Sequence, residues 1–169
     1  MATSMWRIKN SSEASLQPLL PPLPQDPTIQ VFFNQSEANV YTEPYRQITR
    51  HGDDLEQVVI DAIDQAIATV DIAVQELNLP GIAQALVDSQ RRGVEVRVIL
   101  ENDYAEASQV DALRVLDQAQ IARIDDTADG SKGSGLMHHK FVVVDGQQVV
   151  TGSANFTYSG IHGDAPTLQ

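Results

Sequence analysis

The chain has no cysteine among its 169 residues, which excludes disulfides, thiol catalysis and cysteine-based zinc or iron–sulfur sites. With only three methionines, sulfur ligation has little to draw on. No apolar run approaches the roughly 20 residues that a membrane-spanning helix needs. The first thirty residues lack the basic start and unbroken apolar stretch of a signal peptide, because Pro21-Pro22 follows directly on Leu19-Leu20. These absences together lead us to expect a cytoplasmic protein. Positive charge is scarce as well, with 11 Lys and Arg against 23 Asp and Glu, a net charge of −12. The whole imbalance lies in residues 31–130, where seven Arg face nineteen acids, and both flanks are neutral. A nucleic-acid binder draws its affinity from phosphate contacts on a basic face. The acidic body therefore argues against tight nonspecific binding of DNA or RNA by this segment, and against strong attraction to anionic membranes.

What is present is the material of one soluble globular domain: 42% hydrophobic residues in a chain long enough for a single core. Residues 1–30 read as a leader outside it. Five of the eight prolines fall between Pro18 and Pro27, a composition that favours polyproline II and builds no core. It suits a stiff linker better than a P-x-x-P ligand. Residues 31–169 form the expected domain.

From Val31 onward strand and helix signals alternate. Val31-Phe32-Phe33 is a short strand candidate. Asp53 and Glu56 have the spacing of a capping box, and Leu55, Val59, Ile63 and Ile67 then form one apolar helical stripe. Val70 to Val74 is a β-branched strand ending at Gln75-Glu76. Pro80 suits a helix start, and that helix closes at Gly93. Val94 to Leu100 is a second strong strand, Ser108 to Gln118 a third helix, and Ile121 to Ile124 a short strand. A loop rich in Asp, Gly and Ser leads to two further strands, Lys140 to Val144 and Val149 to Thr151, around Asp145-Gly146. This order predicts an α/β fold with a mixed, mostly parallel sheet and a late hairpin. Ligands of such sheets bind at the edge where strand-to-helix loops gather, so Glu76-Asn78 and Glu101-Asp103 should open onto a pocket there, with Glu76 at its rim.

The chemistry concentrates in His138-His139-Lys140-Phe141-Val142-Val143-Val144-Asp145, followed by Gly152-Ser153-Ala154-Asn155. As a pattern this is H-x-K-x4-D, six residues, then G-S-x-N. Alternate side chains of a strand share a face, so His138 and Lys140 should point the same way, above Val142 and Val144 in the core. The same parity is expected of Ser153 and Asn155, which would bring all four groups to one phosphate pocket. A lysine inside so apolar a run is best explained by an anion. Asp145 has two compatible roles, orienting the site and forming the Asp145-Gly146 turn. His139 should face away as a spectator. His138-His139 lacks a third ligand nearby, so no metal is expected, and no cofactor. His51 and His162 fall in loops and belong to no motif.

These residues resemble the HKD signature of the phospholipase D superfamily, including the G-S-x-N that follows it, and the resemblance extends over about residues 31–160. It implies an α-β-α sandwich and a two-step, metal-independent displacement at a phosphodiester. In that scheme one histidine attacks phosphorus to form a phosphohistidine, and a second, from another HKD motif, protonates the leaving alcohol and then activates water. His138 would be one of the two, with Lys140 and Asn155 stabilising charge on the nonbridging oxygens. Members act on phospholipids, DNA or RNA; the acidic body favours phospholipid head-group cleavage here over an endonuclease. One motif is present where two are needed, so the second must come in cis or from a homodimer. Members also carry an acidic residue beyond G-S-x-N; here the corresponding place holds Pro166, with Asp164 as the nearest acid, and Gly160 to Asp164 reads as a loop. The expectation is a fold incomplete at its C-terminus. A non-catalytic phosphate-binding or dimerisation module is the competing class.

Overall fold

The computed structural model describes residues 16–106, 111–128, 130 and 135–163. A small antiparallel hairpin comes first, β1 (Val40–Thr42) and β2 (Thr49–His51). There follow α1 (Leu55–Asp64), β3 (Thr69–Val74), α2 (Pro80–Arg91), β4 (Glu95–Leu100), α3 (Asp111–Gln118), β5 (Arg123–Asp125), β6 (Lys140–Val144), β7 (Gln148–Thr151) and α4 (Tyr158–His162). The main sheet has five strands in the order β5-β4-β3-β6-β7. β3, β4 and β5 run parallel; β6 returns antiparallel to β3, and β7 pairs antiparallel to β6. This is the mixed α/β sheet expected, with β3 at its centre.

The register explains the core. Val70, Ile72 and Val74 of β3 share a face with Val96, Val98 and Leu100 of β4 and with Val142 and Val144 of β6. Ile63 of α1, Ile82 and Leu86 of α2, and Leu113 and Leu116 of α3 cover that face, and every one of these side chains is buried. At roughly 1.5–3 kcal/mol for each large aliphatic side chain removed from water, this layer supplies most of the drive to fold. The described helical layer lies on this one face. The opposite face, with Asp71 paired to Arg97 beside Ile99 and Phe141, stays partly exposed among the described residues.

Several boundaries differ from the sequence reading, each for a physical reason. Among the described residues Val31-Phe32-Phe33 pairs with no strand; the Asp53 N–H donates to the Phe33 carbonyl at 2.7 Å instead. Asp54, not Asp53, caps α1 by accepting the Gln57 N–H at 3.1 Å, while Glu56 turns inward and is buried. The helix ends at Asp64, leaving Ile67 86% exposed and Ala66 in the core position instead. The third helix is described from Asp111, its expected start at Ser108 lying outside the described residues. Residues 158–162 form a helix capped by the Thr157 hydroxyl where a loop was expected; Asp164 and Pro166 lie outside the described residues. Among the described residues, no helix is long and apolar enough to cross a membrane.

Candidate active site

Lys140 of the HKD pattern lies where β3 ends and β6 begins, with His138 just ahead of it in the chain. Register pairs Lys140 with Val74, and the Gln75 N–H donates to the His139 carbonyl at 2.9 Å, so the ladder continues one step beyond the strands. Lys140 therefore projects to the core side, above Val142, and is only 5% exposed. Its Nζ donates to Gln75 Oε1 at 3.0 Å and to the His138 carbonyl at 3.2 Å. Burial holds the ammonium below the ordinary lysine range, opposed by the carboxylate of Glu76. Both of its hydrogen-bond acceptors are neutral, and Glu76 acts on the ammonium through its charge rather than through a hydrogen bond. His138 lies one residue ahead of His139, outside β6, and is exposed. His139 is exposed too, its ring edge-on to Phe141 with centroids 5.9 Å apart.

The parity argument for Ser153 and Asn155 fails, although Asn155 still arrives at the site. Phe141 pairs with Thr151, which sets Gly152 rather than Ser153 opposite Lys140, and the Gly152 N–H donates to the Lys140 carbonyl at 3.3 Å. β7 stops there and the chain bends through Ser153 and Ala154. Ser153 is exposed on the bend. Asn155 is half-buried beside Glu76, its Nδ2 donating to Glu76 Oε1 at 2.9 Å. The Asn155 Oδ1 is buried and lacks a hydrogen-bond partner.

Two contacts fix this turn. Phe156 bridges to Leu77, with the Asn78 N–H donating to the Phe156 carbonyl at 3.0 Å. Gly160 packs so closely that a Cβ there would meet the Asn155 carbonyl oxygen at 2.4 Å, so only glycine fits. Glu101, expected at this edge, is buried at the end of β4 and accepts the Met137 N–H, steering the approach to His138. Asp103 is exposed nearby in a single 3-10 turn.

Asp145 is not brought to the site. It lies at the far end of β6, about 17 Å along the strand from Lys140. Its Oδ1 accepts the N–H groups of Ala68 and Thr69 at 2.8 Å each, and Oδ2 that of Ile67 at 3.0 Å. These bonds from Thr69, Ile67 and Ala68 hold its carboxyl below the ordinary range. Asp145 and Gly146 both have positive φ, and the Gln147 N–H closes the turn on the Val144 carbonyl at 3.0 Å. Of its two expected roles, the contacts are those of the structural one.

Sequence reasoning missed a second buried cluster. His162, assigned to a loop, lies in α4 with its side chain fully enclosed. Its Nε2 contacts Glu56 Oε2 at 2.9 Å and its Nδ1 the Tyr41 hydroxyl at 3.2 Å. The Tyr45 hydroxyl donates to the other Glu56 oxygen, and Gly81 in the first turn of α2 leaves room for that carboxylate. Burial pushes Tyr41 up to about 12, with Asp54 adding to the rise; burial and the Glu56 hydrogen bond raise Tyr45 further. Glu43 accepts backbone N–H groups from Tyr45 at 2.7 Å, Arg46 at 3.0 Å and Ile48 at 3.3 Å. Burial pushes that carboxyl up, but the donors of Arg46, Tyr158, Tyr45 and Ile48 outweigh it and hold it at about 2. Nothing in the sequence signals it, since Glu56 lies beside the Leu55, Val59 and Ile63 stripe and reads there as a capping-box partner. Among the described residues, no three His, Asp or Glu side chains gather as a metal site would require.

Comparison with known proteins agrees with this geometry. The family described as "Cardiolipin synthase, PLD-like domain" matches residues 59–166. A mitochondrial cardiolipin hydrolase of Xenopus laevis is 44% identical over 91 residues, covering 53% of this chain and 40% of that protein. A phospholipase D of Rickettsia conorii is 31% identical over 99 residues, covering 59% of this chain and 46% of its own length. The matched stretch thus spans less than half the length of these curated relatives. Among solved structures, a phospholipase D family member, Nuc from Salmonella typhimurium, superposes with a TM-score of 0.55 at 26% identity, over 64% of this chain and 68% of that one. With a family match across residues 59–166, and with His138 and Lys140 of the HKD pattern at one sheet edge, the chain belongs to the phospholipase D superfamily.

Proposed function

We propose that this chain supplies half of a phospholipase D-type active site, which cleaves a phosphodiester through a covalent phosphohistidine. The observation that carries the proposal is the buried Lys140 ammonium, held by two neutral acceptors, one of them the main-chain carbonyl of the exposed His138. A cation desolvated without a hydrogen-bonded carboxylate is costly to the fold and well placed for a bound anion. In the first step one imidazole nitrogen attacks phosphorus, and the bond to the leaving alkoxide breaks as a second imidazolium gives it a proton. That second group then takes a proton from water, which attacks the phosphohistidine and frees the histidine. Lys140 and, once turned to the substrate, Asn155 stabilise charge on the nonbridging oxygens.

His138 is one of the two imidazoles. The other comes from a second HKD motif, in a homodimer or in cis. The substrate favoured is a phospholipid, on the acidic body and on the names of the relatives, a cardiolipin hydrolase and a phospholipase D. The test is turnover of bis(p-nitrophenyl) phosphate in EDTA, with size-exclusion mass measured alongside. Activity resistant to EDTA and abolished in His138→Ala supports the proposal. A folded dimer without turnover contradicts it for this chain, and activity lost in EDTA contradicts the metal-free mechanism. Parallel assays with phosphatidylglycerol vesicles and plasmid DNA identify the substrate; cleavage of DNA alone overturns the phospholipid assignment.

A further inference from the structure

The phosphate reading leaves one contact at the site unexplained. A carboxylate only accepts hydrogen bonds, so Glu76 at 2.9 Å requires Asn155 to present its Nδ2 to it. The Asn155 Oδ1 then faces elsewhere, buried and without a partner. A buried acceptor in that condition is expensive and demands a reason. Nor could that oxygen serve catalysis, because an amide oxygen repels the nonbridging oxygens of a phosphodiester. In this arrangement Asn155 cannot serve the phosphate until its Nδ2 leaves Glu76.

We propose that Glu76 is a positioning residue that competes with the substrate phosphate for the Asn155 amide, and so sets how tightly the site takes an anion. This rests on the phosphate-site reading above. The local backbone favours such an exchange. Gln75 is pinned to His139, and Leu77 is bridged to Phe156, so the residues on either side of Glu76 are held. Its side chain is half-buried on the bend between them, and rotation towards solvent frees the amide without moving the main chain. The same rotation takes a negative charge away from Lys140, whose ammonium Glu76 otherwise helps to neutralise. A phosphate arriving at the edge therefore replaces one anion with another on the Asn155 amide and in the field of Lys140. Weak or uncharged ligands do not, which makes Glu76 a filter as well as a clamp.

The expected effect has a sign that a merely supporting residue would not produce. Inorganic phosphate is titrated into the full chain by calorimetry for wild type, Glu76→Gln and Glu76→Ala, with folding checked by thermal melt. Removing the competing charge should tighten phosphate binding about ten-fold in both variants, one charge-assisted hydrogen bond's worth. KM for bis(p-nitrophenyl) phosphate should fall in parallel. A residue that only braces Asn155 would give equal or weaker binding when removed. If wild type binds phosphate and neither variant binds it more tightly, the role of Glu76 is overturned and the phosphate site stands. If neither wild type nor variants bind phosphate, both fall together.

Discussion

Two polar clusters lie side by side in this molecule, and they differ in whether their hydrogen-bonding groups are matched. Behind the sheet edge, both nitrogens of His162 and both oxygens of Glu56 are engaged, and Glu43 is met by three backbone N–H groups. At the edge, Lys140 rests on neutral acceptors, His138 is exposed, and Asn155 keeps an acceptor with no partner. Groups satisfied from within hold a fold together. Groups left short of a partner are kept for something from outside. The same contrast runs along β6, between Lys140 at one end and Asp145, occupied by three backbone donors, at the other.

That division can be broken from either side. The largest effect should come from the matched cluster: Glu56→Ala leaves His162 and Tyr45 short of their partner inside the protein, at a cost of about 3–5 kcal/mol in urea unfolding. Lys140→Met should do the opposite, lowering kcat about 100-fold or more while stability does not fall, because a desolvated cation is replaced by an apolar chain of similar volume. A Lys140→Met protein that loses both in proportion would mean the lysine is a structural residue.

Acid should act on the matched cluster too. Glu43 is held at about 2 against 4.5 for an ordinary glutamate, so its contribution is fully present above pH 4.5 and is lost as pH falls from 4.5 towards 2. The melting-temperature gap between wild type and Glu43→Gln should close across that window; a gap constant with pH would contradict the assignment. The smallest effect is expected for Asp145→Asn, which should lower the melting temperature and leave phosphate affinity unchanged.

The sequence was legible where the signal is local and not where partners are distant. Val70 to Val74, Val94 to Leu100 and Lys140 to Val144 are β-branched runs, and their strands formed within a residue of the expected bounds. The site was legible because four polar residue types at fixed spacing rarely fall together by chance. Parity misled at Ser153, since the β6–β7 register sets Gly152 opposite Lys140, and β7 ends at Thr151 before the chain bends to Asn155. Three-residue strands such as β1 and β2 carry too few residues for periodicity to show. The Glu56–His162 contact joins positions 106 apart in sequence, and nothing near either residue announces the other. Asp145 read equally well as a turn former and as a residue orienting the site, because the same side chain suits both; its three backbone donors separate them.

The central claim is that the unmatched edge is half of a phosphohistidine site. Its most direct test is to quench the full chain during turnover of bis(p-nitrophenyl) phosphate into alkaline denaturant, where a phosphoramidate survives, and to map the adduct by mass spectrometry. The account predicts a p-nitrophenyl phosphate group on the peptide containing His138, absent from His138→Ala. Steady turnover with that peptide unmodified would contradict it.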